Sequence, residues 1–113
     1  LFYYILQHTS LYTFRQVYEY CTKNDIELEI GEIYGGSVDG SGHLTLDSAK
    51  QDDVNSFRKW LGTINSPKVK VVDNWLSKYE YNDTLHRRFK QYFNMLDSVR
   101  GTNFVKTFNP CWT

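Results

Sequence analysis

A chain of 113 residues can close one hydrophobic core but not several, so residues 1–113 read as a single domain with little stability in reserve. Thirteen Lys and Arg offset thirteen Asp and Glu, and a neutral chain has no long-range field to steer it to nucleic acid or to an anionic membrane. Nine Tyr, seven Phe and three Trp supply large areas for burial, which favours a folded protein over a disordered one.

Residues 2–7 (FYYILQ) form a continuous β-branched and aromatic run, the pattern of a strand buried on both faces. Thr13 and Gln16 have capping-box spacing, and Phe14, Val17, Tyr18 and Cys21 recur with helical period, which predicts an amphipathic helix over 13–24. Ile26, Leu28 and Ile30 then alternate with Glu27 and Glu29, the period of a half-buried strand. Residues 2–31 therefore read as a strand-helix-strand unit. Gly35, Gly36, Gly40 and Gly42, mixed with Ser37, Asp39 and Ser41, mark a turn or loop, and Leu44 and Leu46 suggest a short strand.

Asp47 or Ser48 can cap a second helix whose stripe is Val54, Phe57, Leu61 and Ile64, weakened at its end by Gly62. Ser66-Pro67 is a start signal for a third helix over 67–79, expected to bury Val71, Val72, Trp75 and Tyr79; the rival reading makes KVKVV a strand. Asp83 or Thr84 caps a fourth helix with a broad apolar face from Leu85, Phe89, Tyr92, Phe93, Leu96 and Val99, and Gly101 sits where a terminating glycine belongs. After it comes a tail, expected to be extended and anchored on the body by Phe104 and Phe108. The fold class is thus α/β: a strand-helix-strand unit of a partial barrel or open sheet, followed by C-terminal helices and an extended tail.

Cys21 and Cys111 lie ninety positions apart without metal-ligand spacing, and read as free thiols in a reducing, cytoplasmic compartment. The longest apolar run, LFYYIL, is far short of the roughly 18 residues of a membrane span, and no signal-peptide pattern is present. The chain opens at Leu1 with an immediate strand pattern, so the expectation is a C-terminal piece of a longer protein.

Leu96, Asp97, Arg100, Gly101, Thr102, Phe104, Thr107, Phe108 and Pro110 make a pattern that resembles the C-terminal end of a radical S-adenosylmethionine family, the partial-barrel enzymes that include the phage and bacterial twitch type. The match departs at Asn109. Such enzymes hold a four-iron four-sulfur cluster on three cysteines of a short loop, which this chain lacks, so the resemblance implies a substrate-side portion with no cofactor of its own. S-adenosylmethionine and the cluster would belong to the rest of a longer protein. The partners implied are a small-molecule or peptide substrate and the remainder of its own chain or a partner protein. Asp97 and Arg100, three apart, read equally as an ordinary surface pair.

A second resemblance is to BRCT domains, phosphopeptide-binding modules, carried by Gly35-Gly36, His43-Leu44 and Trp75 in that order, with VVDNWL similar to the entry into the module's last helix. It implies a phosphate-binding hydroxyl at Thr9 or Ser10 and a partner lysine, loosely matched by Lys50. YGGSVDGSG also resembles the LAGLIDADG motif of homing endonucleases, with Asp39 on an acidic position and Ser41 in place of a metal-binding carboxylate, which implies a catalytically disabled nucleic-acid binder.

No catalytic triad or metal set assembles from spacing, and His8, His43 and His86 have no ligand spacing. In the run His86-Arg87-Arg88-Phe89-Lys90, which could contact phosphates, Phe89 lies on the buried face and the cations fall on a solvated one. One geometric site remains: ligands approach the carboxyl ends of parallel strands, which would direct His8, Thr9, Glu32 and Tyr34 toward one substrate pocket. The bland reading of the same residues is solvent-facing strand ends.

Overall fold

The computed structural model describes residues 1–32 and 45–108. Strand β1 (Phe2–Leu6) pairs in parallel with β2 (Leu28–Glu32), in the register Phe2 to Leu28 through Leu6 to Glu32, and helix α1 (Ser10–Lys23) crosses between them. The expected strand-helix-strand unit is present, as an open two-stranded sheet among the described residues. Tyr4 and Leu6 face the core, whereas Tyr3 and Ile5 are exposed on the other side. There Gly31, the register partner of Ile5, leaves room for that side chain, whose Cδ1 would lie 3.2 Å from a Cβ at Gly31.

Helix α1 begins three residues earlier than capping-box spacing suggests, because Ser10 rather than Thr13 organises the turn. The buried Ser10 hydroxyl accepts the Gln7 amide at 2.9 Å and donates back to the Ile5 carbonyl at 3.3 Å. Thr13 is used elsewhere, 2.8 Å from the Tyr4 hydroxyl. At the other end Asp25 takes a left-handed conformation (φ 54°), and the Ile26 amide reaches back to the Cys21 carbonyl at 2.8 Å, a Schellman closure.

The later chain is helical: α2 (Gln51–Leu61), α3 (Pro67–Leu76), α4 (Asp83–Arg100) and α5 (Phe104–Phe108). Val54, Phe57 and Leu61 of α2 are buried as their spacing requires, and Gly62 closes that helix. KVKVV is part of α3, but its buried stripe is Val69, Val72 and Leu76. Val71 is exposed, and with Trp75 and Lys68 it lines a shallow groove beside Glu29 and Ile30. The Lys68 ammonium donates to the Leu28 carbonyl at 2.7 Å, so this side of α3 is held by a strand-edge contact that helical period cannot reveal. Asn82, not Asp83 or Thr84, caps α4, its side chain accepting from the Leu85 amide at 3.0 Å. Gly101 is left-handed (φ 66°), as a terminating glycine should be.

Two expectations for irregular segments are corrected. Leu46 belongs to a 3-10 turn (Leu46–Ser48) rather than a strand; Leu44 lies outside the described residues. The tail is not extended over 104–108: α5 is a short helix whose Phe104 is buried against Phe89 and Phe93. Its first amide is drawn back by Asp97 Oδ2 at 3.0 Å, which turns the chain immediately after Gly101. The expected anchoring does hold, with the Phe104 and Phe108 rings 5.9 and 5.8 Å from Tyr12 of α1.

Candidate functional site

The 3-10 turn, in which Ser48 is buried, is where the strand-helix-strand unit and the later helices meet. Its backbone is satisfied from afar: the Asn82 amide donates to the Asp47 carbonyl at 3.0 Å, His86 Nδ1–H to the Ser48 carbonyl at 2.9 Å, and the Tyr79 hydroxyl to the Ala49 carbonyl. Its side chain Ser48 faces the opposite way, toward the end of β1. Ser48 Oγ lies 2.7 Å from both His8 Nδ1 and the Thr45 carbonyl, and its one hydrogen serves one of the two.

His8 is completely buried and stacks on Phe89 of α4 at 3.6 Å between ring centroids. Its other nitrogen, Nε2, is 3.0 Å from the Tyr12 hydroxyl, which in turn is 2.9 Å from Asp53 Oδ2 on α2. One imidazole therefore joins the β1 end, α1, the 3-10 turn, α2 and α4. Burial, with His86 nearby, pushes the His8 pKa down to about 3, so the ring is neutral near pH 7. Burial likewise holds His86 below the ordinary histidine range, against the Ser48 carbonyl that favours its charged form.

Of the four residues expected at the strand ends, His8 lies within the core and Thr9 at the start of α1, half-buried. Glu32 ends β2 opposite Leu6, and Tyr34 lies outside the described residues. The glycine loop, the His43-Leu44 pair and Asp39 and Ser41 of the LAGLIDADG-like stretch also lie outside them. The partners that sequence reasoning missed are Ser48, Tyr12 and Asp53. Only Tyr12 carried a signal, as a polar aromatic four residues beyond His8; the others are joined to it across 40 or more positions.

Lys50, two residues beyond Ser48, holds its ammonium 5.2 Å above the Tyr81 ring, a cation–π contact. Asp52 and Asp53 follow in the first turn of α2 and complement its dipole. Among the described residues no group of three or more His, Cys, Asp or Glu side chains converges to hold a metal ion, and no helix is long and apolar enough to cross a membrane. The chain matches no family model, no curated protein and no solved structure.

Proposed function

We propose that this domain is a BRCT-like, phosphopeptide-binding interaction module. The observation that supports this reading is the His8–Ser48 bond, which brings the end of β1 against the lead into α2. Thr9 follows His8, Lys50 follows Ser48 by two residues, and α1 and α2 both begin within three residues of the bond. A hydroxyl, an ammonium and the N-terminus of α2 are groups that can hold a phosphate monoester, whereas the first amides of α1 already donate to the Gln7, His8 and Thr9 carbonyls. Trp75 on α3, partly buried against the core, fits the same resemblance.

The test is fluorescence anisotropy with a degenerate phosphoserine and phosphothreonine peptide pool beside its unphosphorylated counterpart. The phosphorylated pool should bind more tightly, and Thr9→Val or Lys50→Ala should each weaken it by about tenfold to a hundredfold, as expected for one charge-assisted hydrogen bond worth about 1.5–3 kcal/mol. Asp52 opposes an anion at this place, so Asp52→Asn should tighten binding. Equal affinity for the two pools would refute the reading.

The parallel strand-helix-strand unit favours a second reading, the substrate-side portion of a radical S-adenosylmethionine-like enzyme, with Thr9 and Glu32 at the carboxyl ends of its two strands as candidate substrate-side residues. In that case cluster and cofactor belong to the rest of a longer protein, and anaerobic reconstitution of this 113-residue chain should yield no stoichiometric iron or sulfide.

A further inference from the structure

The two edges of the sheet are unlike. The outer edge of β2 is shielded by charge: Lys68 donates to the Leu28 carbonyl at 2.7 Å and pairs with Glu29 at 3.3 Å and Glu27 at 4.0 Å. Charged side chains on a strand edge keep a further strand away. The edge of β1 has no such protection. Residues 1–7 (LFYYILQ) carry no charged side chain and no proline, and Leu1, Tyr3 and Ile5 are 81%, 68% and 42% exposed.

The backbone at this edge is open as well. The Phe2 amide donates to the Glu27 carbonyl at 2.7 Å, so in the parallel register the even residues of β1 bond to β2 and the odd ones turn their N–H and C=O groups outward. The Ile5 carbonyl accepts from Ser10 Oγ at 3.3 Å. The Leu1 carbonyl, the Tyr3 amide and carbonyl, and the Ile5 amide have no partner among the described residues. Acceptor and donor therefore alternate along the edge, and the order read backwards is donor, acceptor, donor, acceptor. An edge with that pattern is complementary to its own reverse.

We propose that this edge pairs with the same edge of a second copy of the chain, antiparallel about a two-fold axis at Tyr3. In that register the Tyr3 residues exchange N–H···O bonds and each Ile5 amide donates to the partner's Leu1 carbonyl, which uses every open group and leaves the Ile5 carbonyl to Ser10. The exposed side chains are matched by the same axis: Tyr3 lies beside the partner's Tyr3 and Ile5 beside the partner's Leu1 on one face, with Phe2 across from the partner's Tyr4 on the other. No like charges are brought together. The sheet becomes four-stranded in the order β2-β1-β1-β2, and Lys68 shields both of its new ends, so association stops at a dimer. Strands of five residues bury less than the about 1,200 Å² of a standard interface, so the dimer is weak and exchanges with monomer. Pairing at this edge involves neither Thr9 nor Lys50 and is independent of phosphopeptide binding.

The test is sedimentation equilibrium of the 113-residue chain from about 10 μM to about 1 mM, with amide hydrogen exchange read by NMR at both ends of that range. The wild type should pass from monomer to dimer, and the Tyr3 and Ile5 amides should exchange severalfold more slowly at the higher concentration. Tyr3 is exposed, so Tyr3→Lys and Tyr3→Glu should fold as the wild type does. Each variant alone should stay monomeric, because the axis sets two like charges side by side, and an equimolar mixture of the two should recover the dimer. A wild type that is monomeric through 1 mM leaves the edge to some other chain and overturns the proposal. So would association that leaves the Tyr3 and Ile5 amides unprotected, growth beyond the dimer, Tyr3→Lys pairing as well as the wild type, or a mixture of the two variants that stays monomeric.

Discussion

At the scale of single residues, His8 carries the largest consequence. A neutral, buried imidazole with both nitrogens in contact is inexpensive only while it stays neutral. Its folded pKa is about 3 against an ordinary 6.5, so the unfolded chain binds more protons between those values. The stability this gives is complete above about pH 6.5 and is lost as pH falls toward 3, by on the order of 4 kcal/mol at pH 3.5. His86 acts in the same direction. Urea unfolding from pH 8 to pH 4 should therefore show a steeper loss in the wild type than in His8→Gln, whose amide retains hydrogen bonding without the titration. Parallel curves for the two proteins would show that His8 does not titrate on unfolding.

At the scale of elements, helix ends were the best-read and the most misread features. Gly101 was readable because only a left-handed residue ends a helix in that way, and a Cβ there would meet no heavy atom within 4 Å. Gly101→Ala should thus cost about 1 kcal/mol through backbone strain alone. Asp25 performs the same turn after α1 without a glycine, so Asp25→Gly should stabilise the domain by about 0.5–1 kcal/mol. Both follow from chemical denaturation, and the reverse signs would contradict the assigned cap geometry. The start of α1 was misplaced because Thr13 fits a capping box locally, whereas the turn is made by Ser10 reaching back into β1. Helix α3 was found but rotated, since Lys68 holds its Val71 side near the strand edge.

At the scale of the molecule, the apolar periodicities of Ile26–Ile30, Val54–Leu61 and Leu85–Phe93 were enough to establish an α/β order, because they are local. The 3-10 turn was not, because its stability comes from His8, Tyr79, Asn82 and His86, all at least 30 residues away from the group they contact. The candidate site was half visible for the same reason: His8 and Thr9 follow from the end of β1, but nothing near Ser48 or Asp53 announces that they meet it. One long-range bond, between His8 Nδ1 and Ser48 Oγ at 2.7 Å, therefore holds this arrangement together. A double-mutant cycle with His8→Ala and Ser48→Ala, read by urea denaturation, measures it most directly. Contact predicts a coupling energy of about 1 kcal/mol or more, and additivity within about 0.3 kcal/mol would contradict the joint between β1 and α2 on which the site depends.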